Sequence, residues 1–177
     1  MPCNMTTGYN DRTCTNGKGG ILSVLLFPVG NISGTPTITA NEITSMTVTG
    51  EVFLYKLKSN LSSYTAPIKV NKENGTLWYE HSLSMILASD TKELRAEIHL
   101  LAQNEVCCLV EKANGTWVAL GLNEGLQVAD ANEYTSGVLK SDRQGHVIVL
   151  NGMENDEVPD VDDSIITTLL SQQSPAV

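Results

Sequence analysis

Most of the chain alternates apolar and polar positions at a period of two, which predicts strands; one stretch carries a helical period. Gly19-Gly20 leads into Ile-Leu-Ser-Val-Leu-Leu-Phe-Pro-Val, a short strand-like run. Residues 30–50 are rich in Thr, Ser and Gly and low in charge, and read as either a weak strand pair or an excursion from the core. Glu51–Lys58 sets Val52 and Leu54 against Phe53, Tyr55 and Leu57, a strand buried on both faces at its start and solvated at its lysine end. Two hairpins are predicted at Asn-Gly turns, Asn74-Gly75 within Ile68–Glu80 and Asn114-Gly115 within Val106–Leu120. Asn and Gly both tolerate the positive φ of a tight twisted turn. A third hairpin is expected to turn at Asp142–Gly145, between Gly137–Lys140 and His146–Leu150.

The single expected helix lies between the first two hairpins. Asp90 caps it, Glu93 completes a capping box, and Leu94, Ile98 and Leu101 recur at i, i+4 and i+7. The reading is therefore mainly β with one α-helix. A single β-rich domain spans 1–152, with an N-terminal segment 1–20. An acidic C-terminal tail spans 153–177, in which Ser164–Ser171 forms a short strand or helix against a partner.

Charge sharpens this picture. Twenty Asp and Glu against eleven Lys and Arg leave −9 over 177 residues. Glu154, Asp156, Glu157, Asp160, Asp162 and Asp163 carry −6 of that, leaving −3 for the rest. A broad basic footprint for gripping nucleic acid is excluded. At 41% apolar residues, the chain reads as neither membrane-spanning nor wholly disordered. Its longest apolar run, Ile21–Val29, is interrupted by Ser23 and Pro28 and falls far short of the roughly 20 residues of a membrane helix. The first twenty residues lack the basic start and apolar stretch of a secretory signal, so Cys3, Cys14, Cys107 and Cys108 are expected as thiols rather than two disulfides.

Candidate chemistry is sparse. His81, His99 and His146 share no metal-ligand spacing, and structural or surface roles are expected for all three. Adjacent strand side chains point to opposite faces, so Cys107 and Cys108 cannot act on one atom together and read as small buried hydrophobes. No Gly-X-Ser-X-Gly elbow, phosphate-cradling loop or calcium-loop spacing is present. Trp78 and Trp117 each follow an Asn-Gly-Thr turn and are expected to pack across strands. No catalytic, cofactor-binding or metal residue is assigned, and the chain is expected to be no enzyme.

The order of elements, a long hairpin, a helix, a tight hairpin and a Gly-rich return, is distinctive. It runs through Leu77–Leu87, Leu94–Leu101, Val106–Gly121, Asn123–Leu126 and Ser141–Leu150. From Thr49 to Gly152 it resembles the core of bacteriophage tail-tube proteins and related neck or ring proteins, a fold shared with the tube of contractile secretion systems. The start, Cys3 to Cys14 followed by Gly19-Gly20-Ile21, also looks like tail-type proteins of crAss-like phages that infect gut Bacteroides.

The resemblance implies a tail-tube-like β-sandwich or half-barrel that joins neighbouring subunits into a closed ring. The ring would be twelve-fold if portal-adjacent and six-fold if tube-like. It implies a virion structural protein of the phage tail or head–tail junction, assembled in the bacterial cytoplasm. Its partners would be further copies, adjacent portal, ring or tail proteins, and DNA passing without specific binding. Edge strands near Glu51–Lys58 and Leu77–Leu87 would complete the inter-subunit sheet. Asn123–Gly137 and residues 30–50 would meet adjacent rings, and the tail after Met153 would reach a neighbouring protein. A weakly acidic lumen would let a polyanion slide, because multiple Lys or Arg contacts to phosphate would retain it. The alternative is a non-catalytic β-sandwich binding module for carbohydrate or protein at a bacterial surface. A hydrolase using scattered polar residues is the third reading.

Overall fold

The computed structural model describes residues 19–58, 61–130 and 132–174; the Cys3–Cys14 segment lies outside the described residues. Its centre is an antiparallel pair, β1 (Ile21–Pro28) against β8 (Val106–Lys112). Val24 sits opposite Val110 and Leu26 opposite Cys108; on the other face Leu25 meets Leu109 and Phe27 meets Cys107. All eight are buried. Such continuous apolar runs belong to strands covered on both faces.

Around this pair grows a seven-stranded sheet. Its order is β2 (Ile32–Thr39), β3 (Glu42–Val48), β13 (Asp160–Val161), β9 (Trp117–Leu120), β8, β1, β4 (Phe53–Lys56). A second sheet is built on β7 (Thr76–Leu87) paired with β12 (Gly145–Glu154). The outer side of β12 carries β10 (Gln127–Val128) and β11 (Glu133–Thr135); that of β7 carries β5 (Ser63–Thr65) and β6 (Ile68–Asn71). Leu83, Met85, Leu87, Ile148 and Leu150 of the second sheet meet Val24, Leu26, Cys108, Val110 and Leu120 of the first in one core. Val106 and Leu126 exchange backbone hydrogen bonds of 3.0 and 2.7 Å and stitch one corner. The architecture is mainly β, sandwich-like and not a closed barrel.

Two helices complete it, where one was expected. α1 (Lys92–Leu101) lays Leu94, Ile98 and Leu101 on the inter-sheet core, as the periodicity predicts. Its cap is Thr91, whose hydroxyl accepts from the Leu94 amide at 3.1 Å, and not Asp90. The hydroxyl sits in the same frame relative to the first turn that Asp90 was assigned, one residue later, and leaves Asp90 free for other partners.

The second helix overturns the C-terminal tail. α2 (Asp163–Ser171) buries Ile165, Ile166 and Leu169 on the outer face of the seven-stranded sheet, beside Leu25, Phe27, Cys107, Leu109 and Ala119. β13 runs parallel to β3 and antiparallel to β9, so two residues join the β2–β3 hairpin to the rest of the sheet. Past α2, Gln173 bridges Val52. The carboxylates of this segment face solvent or cap amides, as Asp162 caps Ser164, while its apolar residues supply the missing cover. Local acidity therefore hid a core element.

The turns also differ in detail. Residues 30–50 form the strand pair, and their two-residue turn is Ala40-Asn41, both at positive φ (52° and 64°). At the two Asn-Gly turns only Gly75 and Gly115 have positive φ. There the Gly115 amide donates to the Lys112 carbonyl and the Lys112 amide to the Thr116 carbonyl, a turn closed by one left-handed glycine. In the third hairpin the strand is β11, and Gly137–Lys140 lies in the connecting loop.

Because α2 caps the second core, Leu169→Ala should lower unfolding stability by about 2–4 kcal/mol, the usual loss for a buried leucine. Glu157→Ala, exposed in the same segment, should stay within about 0.5 kcal/mol. Chemical denaturation of both variants checks this; equal small effects would return residues 153–177 to a tail.

Candidate functional site

Polar chemistry collects in two places. The first lies before α1, where Asp90 meets three elements. Its carboxylate accepts from the Tyr134 hydroxyl at 2.9 Å and faces Arg95 Nε at 3.2 Å and His146 Nε2 at 3.5 Å. The Tyr134 and His146 rings lie 4.9 Å apart at a tilt of 41°. The Tyr134 hydrogen bond, with Arg95 and His146, holds the Asp90 carboxyl below its ordinary range. The carboxylate is neutralised by a guanidinium and accepts from the phenol, while Asp90 Oδ1 and His146 Nε2 have no hydrogen-bond partner among the described residues. The cluster is a latch that ties the start of α1 to β11 and β12. His146, which the sequence offered only as the opening of a strand, gains this role from Tyr134 opposite it on β11.

The second lies where the Leu120–Leu126 turn crosses β7 and β12. His81 is 2% exposed, and its Nδ1 accepts from the Gly121 amide at 3.3 Å. That bond leaves the ring proton on Nε2, which has no hydrogen-bond partner among the described residues. Burial pushes the His81 pKa down, opposed by the Asp156 backbone carbonyl. Glu154, also 2% exposed, accepts from the Asn123 and Glu124 amides at 3.1 and 3.0 Å and orders the same turn. Gly152 lets the turn approach, since a Cβ there would lie 2.5 Å from the Gly125 carbonyl oxygen. Both groups order backbone, and neither opens to a cleft.

Cys107 and Cys108 are free and buried, on opposite faces of β8, and burial raises both thiol pKa values. Burial therefore disfavours the thiolate form that a nucleophilic cysteine needs. Trp117 is buried in the core under α2, so it presents no ring to a ligand. Trp78 lies half-buried on the outer face of the second sheet, opposite Lys69. Among the described residues no three His, Cys, Asp or Glu side chains are placed to hold a metal ion, and no helix is long and apolar enough to cross a membrane.

The surfaces are more eloquent. β4 is the outer strand of the seven-stranded sheet, where Glu51–Lys58 was expected to offer an edge. Leu77–Leu87 is no edge: β7 is paired on both sides. The open edge there belongs to β5 and β6, short strands that the alternation in Ile68–Asn71 signalled only in part. Beyond the core the β6–β7 hairpin keeps an apolar face. Val70 sits opposite Leu77 and Ile68 opposite Tyr79, with Ile68 and Val70 each 57% and Leu77 53% exposed. Nothing among the described residues covers them. Comparison with protein-family models, curated proteins and solved structures returned no match.

The His81 environment has a pH signature. Its folded pKa lies below the unfolded value, so the unfolded chain binds more protons and stability falls as pH drops below about 6.5. In His81→Gln, whose amide oxygen can still accept from Gly121, the stability slope between about pH 7 and pH 5.5 should flatten. An unchanged slope in denaturation measured across that interval would assign the effect to another group.

Proposed function

We propose that this chain is a structural subunit that assembles with copies of itself. We place that assembly in a closed ring of a phage tail or head–tail junction through which DNA passes without being held. The observation that carries the reading is the apolar face of the β6–β7 hairpin. Three large aliphatic side chains stand more than half exposed on an ordered, cross-strand-paired arm. Isolated exposed aliphatics are ordinary, but a contiguous set on one face marks an interaction surface.

Three further features agree with it. Among the described residues β4, β5 and β6 leave strand edges unpaired at one side of each sheet, and such edges join chains readily. The polar clusters serve the fold, and among the described residues no convergent nucleophile and base accompany them. The carboxylates outnumber the cations, which suits a passage for a polyanion better than a grip on one. Copies joined head to tail through unlike surfaces close into a ring when the rotation between them permits.

Light scattering and electron microscopy of the purified protein test the reading. Closed rings, six-fold for a tube-like assembly and twelve-fold beside a portal, are the expected result. Val70→Asp with Leu77→Asp on the hairpin should cut assembly at least ten-fold while leaving the monomer folded, since both side chains already face water. A wild-type protein that stays monomeric at high concentration would overturn the proposal. A glycan-array signal lost in Trp78→Ala would favour the surface-binding alternative.

A further inference from the structure

The loop between β11 and β12 displays apolar side chains while being held in one shape. Val138 is 95% and Leu139 68% exposed. The Asp142 carboxylate accepts from both their amides, at 2.9 and 2.8 Å, and the Asp142 amide donates to the Leu139 carbonyl at 3.0 Å. Gly137 adopts φ 71°, where a Cβ would lie 2.9 Å from that of Asp142. The loop is thus pre-shaped around one carboxylate, and its two aliphatic side chains contribute nothing to the core. Lys140 and Arg143 flank them, and neither forms an ion pair among the described residues.

A complementary feature sits elsewhere on the same sheet. Beside β10, an open groove of about 500 Å³ is lined by Gln127, Val128, Ala129, Asp130 and Asn151. Val128 and Ala129 are the apolar part of its lining, and Asp130 stands exposed at it without an ion-pair partner among the described residues. The loop joins β12 at Gly145, whereas the groove adjoins Asn151 on that strand. Val138 and Leu139 stand exposed to solvent, so the loop does not fill the groove of its own chain.

We propose that the Val138–Leu139 knob of one copy seats in the Val128–Ala129 groove of the next, with Arg143 paired to Asp130 across the contact. The occupant is a second copy because the charges match. A cationic, apolar loop on a chain of net −9 meets a groove whose one charged residue is acidic. Arg suits this contact, because its guanidinium can engage a carboxylate through two parallel hydrogen bonds. Knob and groove are different surfaces, so the contact is head-to-tail and propagates from copy to copy. This inference rests on the self-assembly reading and names one of its contacts.

Sedimentation velocity on charge-swapped chains tests it. Arg143→Asp alone and Asp130→Arg alone should each weaken association about ten-fold or more. The chain carrying both should recover to within about three-fold of wild type, because the pair is restored in reverse. Val138→Ser with Leu139→Ser, which leaves Asp142 and its amides in place, should weaken association similarly. If wild type assembles and the single variants match it, or the double swap shows no recovery, the knob-and-groove contact is wrong while self-assembly stands. If wild type does not assemble at all, the self-assembly reading falls and this contact with it. Co-flotation with anionic phosphatidylserine vesicles, lost in the Val138→Ser, Leu139→Ser chain while association is unchanged, would assign the loop to a membrane surface and overturn the proposal.

Discussion

The β1–β8 pair is apolar on both faces, and a strand pair of that kind is stable only between two covers. One cover is the β7–β12 sheet with α1 packed beside it; the other is α2. Every other element takes its place from this requirement. The cysteines follow it too: Cys107 and Cys108 fill opposite faces of one strand, each a small buried group in a different core. A burial cost far larger than any single surface ion pair decides the position of the C-terminal segment, whatever its formal charge.

Much of that charge serves the backbone. Glu154 holds the Asn123 and Glu124 amides, Asp142 the Val138 and Leu139 amides, and Asp162 the first turn of α2. Asp90 receives the Tyr134 hydroxyl and faces Arg95. Backbone amides left by turns and helix starts need acceptors, and carboxylates are the strongest acceptors available. The acidity of the chain is therefore partly a set of loop fasteners. Apolar surface on the β6–β7 arm and the β11–β12 loop stays exposed, and the proposed assembly uses both.

The strands with unbroken apolar runs were legible because burial on two faces leaves a compositional mark. So was the face of α1, since Leu94, Ile98 and Leu101 repeat at a helical period. The Asn-Gly hairpins were found for the right glycine, whereas Asn114 serves its turn through a side chain that accepts from the Thr116 amide and not through a positive φ. The Ala40-Asn41 turn was not visible, because alanine gives no sign of positive φ; only pairing of Thr39 with Glu42 forces it. Asp90 was misread as a cap because local spacing favours it, while its actual partners Tyr134 and His146 lie far along the chain. α2, read only as a short strand or helix within a tail, lost its place in the core for a similar reason. Its apolar stripe, Ile165, Ile166 and Leu169, was short and followed a run of carboxylates, and only the sheet beneath gives it a purpose. Of the surfaces, the edge at β4 could be read from sequence, whereas the groove beside β10 depends on which strand lies against β12.

The two-residue strand β13 has a consequence in time. It stands between β3 and β9, and the Asn41 side chain reaches the Val158 carbonyl across 117 residues of sequence. During synthesis the β2–β3 hairpin leaves the ribosome early and has no neighbour in its sheet until Asp160–Val161 emerges. Closing so long a loop adds entropy cost and slows folding. The early hairpin therefore waits with one edge open, and its Thr- and Ser-rich, weakly apolar composition suits a segment that must stay soluble while it waits. β13, the last of the described strands, acts as the keystone that turns a detached ribbon into part of a continuous sheet.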